Sequence, residues 1–284
     1  MPLMEVIRSP IPLRSRVRRY KKKGEKIGFV PTMGVLHPGH VTLVRRARRE
    51  CDRVLVSIFV NPLQFGPRED YSRYPRNLRS DRELLQKEKV DLLFFPSAKT
   101  MYPDLFSTSV NVGPIADRLC GRFRPGHFEG VATVCAKLFN LVSPDVVYFG
   151  QKDYQQTRVI QRVLEDLDFD IRLKVIPTVR EADGLAMSSR NRYLAPEERK
   201  RALLLSEALL VGKKEILRGE RRPERVLPKM RKVLHRRGIR VEYVSVVDPE
   251  TLKSVSRIRG NVVLAVSAWL GRTRLIDNCL VRTR

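Results

Sequence analysis

Acidic side chains are the scarce class in this 284-residue sequence: 31 Asp and Glu stand against 56 Lys and Arg, a formal balance of +25. So few negative charges exclude an acidic, self-solvating chain and leave a field that attracts polyanions and steers phosphorylated or carboxylated small molecules. Aromatic residues are also sparse, at 7% with a single Trp, and do not regularly interleave the basic stretches at 45–49, 118–124, 199–201, 218–225 and 231–237. That argues against a stacking groove for single strands, and no specific nucleic-acid partner is expected. The four cysteines, Cys51, Cys120, Cys135 and Cys279, lie far apart without metal-ligand spacing, so free, mostly buried thiols are expected. No apolar run approaches the roughly 18 residues of a membrane span; stretches such as Val54–Val60 have strand length. Arg8, Arg14, Arg16, Arg18 and Arg19 near the N-terminus precede no apolar segment of a secretory leader, so the expected location is the cytoplasm and no membrane partner is expected.

What is present is a composition able to bury a core, 42% hydrophobic and 31% charged. Apolar runs alternate with helical patterns through the first two thirds. Strands are predicted at Ile27–Pro31, Arg53–Val60, Leu92–Phe95, Val146–Phe149 and Arg172–Ile176, and helices at Gly39–Glu50, Ser80–Lys89, Glu129–Leu141 and Tyr154–Leu167. This rhythm predicts an α/β, Rossmann-like doubly wound parallel sheet with ligands beyond the carboxyl ends of its strands. After about residue 178 come two consecutive helices, Pro196–Arg218 and Pro223–Arg237, then strands at Arg240–Val247, Asn261–Trp269 and Arg274–Leu280. Strands joined without crossover helices predict a smaller C-terminal α+β domain, giving domains of 1–178 and 179–284.

The first predicted strand runs directly into Pro31-Thr32-Met33-Gly34-Val35-Leu36-His37-Pro38-Gly39-His40 and a helix start. Glycines permit a tight turn, and a helix N-terminus offers unpaired N–H groups suited to phosphate. His37 and His40 are three apart, so both imidazoles can face one spot; with no further ligands nearby, donation to phosphate oxygens fits better than zinc. His37-Pro38-Gly39-His40 has the HxGH form shared by nucleotidyltransferases and class I aminoacyl-tRNA synthetases. Its usual companion, a Ser/Lys/Arg-rich loop, is matched by Met187-Ser188-Ser189-Arg190. Hydroxyls and a guanidinium from such a loop stabilise charge on departing pyrophosphate.

Further strings carry a closer likeness. Phe59-Val60-Asn61-Pro62-Leu63-Gln64-Phe65-Gly66, Tyr148-Phe149-Gly150-Gln151-Lys152-Asp153, Asp183-Gly184-Leu185-Ala186-Met187-Ser188-Ser189-Arg190-Asn191 and Arg272-Thr273-Arg274-Leu275-Ile276-Asp277-Asn278 resemble the pantothenate synthetase family from about Gly28 onward. The resemblance implies an ATP-dependent ligase that joins pantoate to β-alanine through a pantoyl adenylate, with Mg2+ accompanying ATP, as a cytoplasmic homodimer. It implies catalytic roles for His40, His37 and Lys152. ATP would meet Met33, Gly34, Val35, Leu36, His37, Pro38, Gly39 and His40, then Gly150, Gln151, Lys152 and Asp153. Val179 would bind adenine through its main chain, and Met187, Ser188, Ser189 and Arg190 would close on the phosphates. Gln64 and Gln156 would bind pantoate, with Gln64 also facing β-alanine. No metal ligands are assigned: Asp81 is the nearest matching carboxylate, with Ser80 beside it. Two departures from the family pattern are Ala182 for proline and Ala195 where Ser or Thr would cap a helix, the latter costing about 1 kcal/mol.

Overall fold

Strands buried on both faces need apolar residues at consecutive positions, and the runs read from the sequence meet that need. In the computed structural model, which describes residues 4–67, 69–235 and 239–283, the chain begins with β1 (Glu5–Ile7), α1 (Pro10–Lys22), β2 (Ile27–Thr32), α2 (Pro38–Glu50) and β3 (Arg53–Ile58). It continues through α3 (Leu78–Lys87), β4 (Leu92–Phe94), α4 (Ala98–Met101), α5 (Cys120–Phe123), α6 (His127–Val142), β5 (Val146–Gly150), α7 (Tyr154–Asp166) and β6 (Arg172–Ile176). Last come α8 (Pro196–Leu217), α9 (Pro223–His235), β7 (Arg240–Val247), β8 (Val262–Leu270) and β9 (Thr273–Val281). The end predicted for α9, at Arg236 and Arg237, lies outside the described residues.

The chain forms two compact units. One comprises residues up to 116, 124–150 and 156–177; the other comprises 117–123, 151–155 and the chain from 178 on. In the first, the described strands form a parallel six-stranded sheet in the order β1-β4-β3-β2-β5-β6. All five predicted strands are present, and the sequence reading is corrected by a sixth, β1, which pairs along β4. At three residues β1 is too short to show a period. The helix after it buries Leu13, Val17 and Tyr20 at helical spacing among many arginines, a pattern the charge obscured. Chain order reverses between β2 and β5, so the segment leaving the carboxyl end of β2 occupies the ligand-binding position of such sheets. Gly28 allows α2 to lie close on the sheet: a Cβ there would sit 3.0 Å from Cys51 Sγ and 3.2 Å from the Tyr148 ring.

In the second unit, β7-β8-β9 form an antiparallel sheet with α8 packed on β8 and β9, and α9 on β7. Gly212 sets the closeness of α8, since a Cβ would meet Met230 Sδ at 2.5 Å and Leu264 Cδ1 at 2.9 Å. Ala195 supplies no side-chain cap to α8, but the reciprocal half of a capping box is present: its N–H donates to Glu198 Oε2 at 3.0 Å. The cysteines are free thiols as expected; Cys51, Cys120 and Cys135 are buried, and burial pushes the Cys135 thiol up to about 12.

A polar knot crosses this small sheet. β7 and β8 shift register between Val241 and Tyr243, so Glu242 sits at a bulge that re-aims its side chain. Its carboxylate accepts from Ser267 Oγ at 2.8 Å, Trp269 Nε1 at 3.1 Å and Arg274 Nε at 2.9 Å. Burial raises the Glu242 pKa, but the hydrogen bonds and charge of Arg274, with Ser267 and Trp269, outweigh it and hold the carboxyl below its ordinary value of 4.5. A depressed carboxyl stabilises the fold above its unfolded-state pKa, and that contribution disappears as pH falls through the folded-state value. Glu242→Gln should therefore unfold at lower denaturant than the parent at pH 7, by about 3 kcal/mol. The two curves should converge as pH drops below 4.5; a difference independent of pH would exclude the ionised pair as its source.

Candidate active site

The turn between β2 and α2 is built around a buried carboxylate. Thr32 Oγ1, closing β2, donates to Ser57 O at 2.8 Å and accepts from Gly34 N–H at 3.2 Å. Gly34 and Val35 then take φ values of +85° and +51°, the second a costly conformation for a β-branched residue. Asp81 of α3, 3% exposed, holds it there: Oδ2 accepts from Val35 N–H at 2.8 Å and Oδ1 from Leu36 N–H at 2.7 Å. With Met33 and Gly34 it also lines a cleft of about 170 Å³ whose walls include Ile58, Phe59, Tyr71 and Arg76.

The chain next enters α2 through two histidines that cap it reciprocally. His37, the N-cap, accepts at Nδ1 from Gly39 N–H at 3.2 Å, and His40 accepts at Nδ1 from His37 N–H at 3.3 Å. Their ring centroids are 4.0 Å apart. An imidazole accepting at Nδ1 carries its proton on Nε2, so the capping bonds assign the same tautomer to both rings. The sequence reading is corrected here. It expected unpaired N–H groups at the helix start; instead Val35 and Leu36 donate to Asp81, Gly39 to His37 Nδ1, and His40 and Val41 to His37 O. With these backbone N–H groups paired, the imidazoles rather than the main chain are the candidate donors at this turn, and Asp81, accepting from Val35 and Leu36, anchors the loop.

Gln64 is 8% exposed and placed with comparable care in the same unit. Asn61, 1% exposed, caps the turn Pro62–Gln64 by accepting from Leu63 N–H at 3.2 Å. Asn61 Nδ2 donates to Gly130 O at 3.0 Å and to Gln64 Oε1 at 3.2 Å, and Tyr102 Oη donates to Asn61 Oδ1 at 2.7 Å. Gln64 Nε2 then rests on Met33 Sδ at 2.9 Å, a weak acceptor that a carboxylate or hydroxyl replaces at little cost. The Gln64 carbonyl accepts from His127 Nδ1 at 2.7 Å and from Arg124, which pairs with Glu69. His127 thus belongs to the support of Gln64. The turn lies so near α6 that a Cβ on Gly130 would collide with Leu63 O. Asn61 and Tyr102 carried no assigned role in the sequence, although Asn before Pro62 is the usual mark of a cap. Gln156, at the start of α7, is half-buried in the first unit.

Gly150 closes β5 in the first unit, and the remaining predicted residues belong to the second. Lys152, in the turn Gln151–Asp153, has an 18% exposed side chain with Nζ 3.6 Å from Asp153 Oδ1. Residues 179–191 form a laced hairpin: Met187 N–H donates to Val179 O at 3.0 Å, and Glu181 N–H to Leu185 O at 2.8 Å. Asn191 Nδ2 donates to Glu181 Oε1 at 2.7 Å and Ala186 O at 3.1 Å. Ser188 caps the turn Ser189–Tyr193 by accepting from Arg190 N–H at 3.3 Å. Such lacing preorganises donors.

Replacing Asp81 by Asn would turn one acceptor into a donor facing a backbone N–H and remove the charge from both bonds. Asp81→Asn should lose about 3 kcal/mol of stability in urea unfolding; a loss below about 1 kcal/mol would mean the carboxylate does not hold this turn.

Residues 5–280 match the model of the family described as pantoate-beta-alanine ligase. The pantothenate synthetase of Thermotoga petrophila is 52% identical over 279 residues, covering 98% of this chain and 100% of that protein. The crystal structure of pantothenate synthetase from Thermus thermophilus superposes with a TM-score of 0.93 at 48% identity, covering 97% of this chain and 99% of that one. The pantoate-beta-alanine ligase of Francisella tularensis, solved in complex with beta-gamma ATP and beta-alanine, matches with a TM-score of 0.78 at 36% identity, covering 98% and 97%. A parallel sheet whose switch-point turn carries two capping imidazoles, a buried glutamine beside it and near full-length likeness to these ligases lead to one conclusion: the chain belongs to the pantoate-beta-alanine ligase family.

Proposed function

We propose that this ligase condenses pantoate with β-alanine in two steps, through a pantoyl adenylate formed from ATP. A carboxylate resists attack by an amine because its charge repels the nucleophile and oxide is not a leaving group. Adenylation removes both obstacles. A pantoate carboxylate oxygen bonds to the α-phosphorus while the bond from that phosphorus to the bridging oxygen breaks, releasing pyrophosphate. The β-alanine amine then attacks the acyl carbon, the bond from that carbon to the phosphate oxygen breaks, AMP leaves and the amine gives up a proton. No enzyme nucleophile takes part, so positioning and charge stabilisation carry the rate.

The observation that carries this reading is the pair of capping imidazoles after β2, each with Nε2 as its donor nitrogen. Two such donors suit the phosphate oxygens on which charge grows as pyrophosphate departs, and His40 takes the principal role. Lys152 adds a cation, and Ser188, Ser189 and Arg190 act on the same phosphates. The segment Met33–His40 walls the nucleotide, Gly150, Gln151 and Asp153 contact its phosphate and ribose side, and Val179 meets adenine. Gln64 and Gln156 hold pantoate through neutral amides, which donate and accept without burying another charge. Binding of nucleotide and pantoate thus falls to residues 1–178, and 179–284 act as the lid that carries residues 187–190. Among the described residues no group of three or more His, Cys, Asp or Glu side chains could hold a metal ion, and both Asp81 oxygens are engaged by backbone N–H groups. Magnesium enters with ATP as the Mg-ATP substrate, keeping several of its waters. The resemblance extends the reading to a homodimer in the cytoplasm. Among the described residues no helix is long and apolar enough to cross a membrane.

The test is pyrophosphate and AMP release from Mg-ATP and pantoate, with and without β-alanine. Enzyme-stoichiometric pyrophosphate should form without the amine, and turnover to AMP and pantothenate should follow its addition. His40→Ala should slow the pyrophosphate step about 10²- to 10³-fold while leaving the fold intact. No pyrophosphate under either condition would refute the adenylate route, and a near-parental rate in His40→Ala would remove that residue's role.

A further inference from the structure

Lys152 owes its place to a residue on another element of the same unit. Asn278 of β9, 5% exposed, donates from Nδ2 to two consecutive main-chain carbonyls, Gln151 O at 3.0 Å and Lys152 O at 2.8 Å. Its Oδ1 is buried without a hydrogen-bond partner. An arrangement serving stability alone would satisfy that oxygen; here the amide is fixed by the two carbonyls it must reach. Its neighbour Asp277, 4% exposed, accepts from Asn278 N–H at 2.8 Å and takes Arg180 in a bidentate pair at 2.7 and 3.0 Å. Arg180 in turn donates to Gly184 O at 3.1 Å, within the hairpin that leads to Ser188.

We infer that Asn278 is a positioning residue: it pins the Gln151–Lys152 main chain, and with Asp277 it sets both the lysine turn and the 179–190 hairpin from one point on β9. The inference deepens the reading above and rests on its assignment of Lys152 to the phosphates of ATP. Two N–H donors on one atom are what the site uses. Asp is nearly isosteric with Asn but lacks both donors and would set a negative charge against two carbonyl oxygens, so Asn278→Asp releases the turn without changing volume.

Single-turnover pyrophosphate formation would be measured for the parent, Asn278→Asp, Lys152→Ala and the double variant, each checked by thermal unfolding. Asn278→Asp should slow the step about 10²-fold, as expected for a misplaced catalytic group, while the KM for β-alanine stays at the parental value. Added to Lys152→Ala it should cost nothing more, because the group it positions is already gone. If Asn278→Asp fails to fold, Asn278→Ser, which keeps one donor, should slow the step about tenfold and show the same lack of additivity. A slow Lys152→Ala with a parental rate in the Asn278 variants, full multiplication of the two effects, or an equal loss in the β-alanine step would overturn the inference alone. A parental rate in Lys152→Ala would overturn the assignment of Lys152, and the inference with it.

Discussion

A single buried carboxylate decides the shape of the histidine turn. Asp81 collects two consecutive backbone N–H groups and keeps Val35 at a positive φ that a β-branched residue otherwise avoids. Strain of this kind costs on the order of 1–3 kcal/mol and persists only where surrounding bonds over-determine it; charge-assisted hydrogen bonds to a buried carboxylate are strong enough to do so. Everything downstream follows from that turn. It brings His37 to the N-cap of α2, the cap fixes His40 one turn later, and the two rings share a tautomer because each spends its Nδ1 on the backbone.

The same economy recurs around the other polar groups. Gln64 is oriented by Asn61 on its amide and by His127 and Arg124 on its carbonyl, leaving its Nε2 against a thioether, the weakest acceptor nearby. The hairpin at 179–191 is crossed by bonds from Arg180, Glu181 and Asn191. In each unit the polar groups are held by partners on other elements. This suits a reaction whose barrier is lowered by holding charge in place rather than by a protein nucleophile.

Much of this was legible in the sequence because its signals were local. Consecutive apolar residues marked each central strand, and the turn from β2 to α2 carried its glycines and histidines within eight positions, Met33 to His40. The longer strings, such as Tyr148 to Asp153, carried the resemblance to the family. What escaped was either too short to show a period, as in β1, or non-local. Nothing near Val35 announces that its N–H will be taken by an aspartate 46 residues away, so the helix start looked open to phosphate when it was closed. Asn61 stands within Phe59 to Gly66, yet its bonds to Gly130 and Tyr102 depend on elements far along the chain. Supporting residues are the hardest to read from sequence, because their partners are defined only by the fold.

In the proposed route a carboxylate oxygen of pantoate passes to phosphorus before the amide bond forms. Pantoate labelled with 18O in its carboxylate, turned over with ATP and β-alanine, tests it by mass spectrometry of the nucleotide product. One labelled oxygen is expected in each AMP, because aminolysis of the adenylate breaks the bond between the acyl carbon and the phosphate oxygen. Unlabelled AMP, or label in orthophosphate accompanied by ADP, would rule out the adenylate.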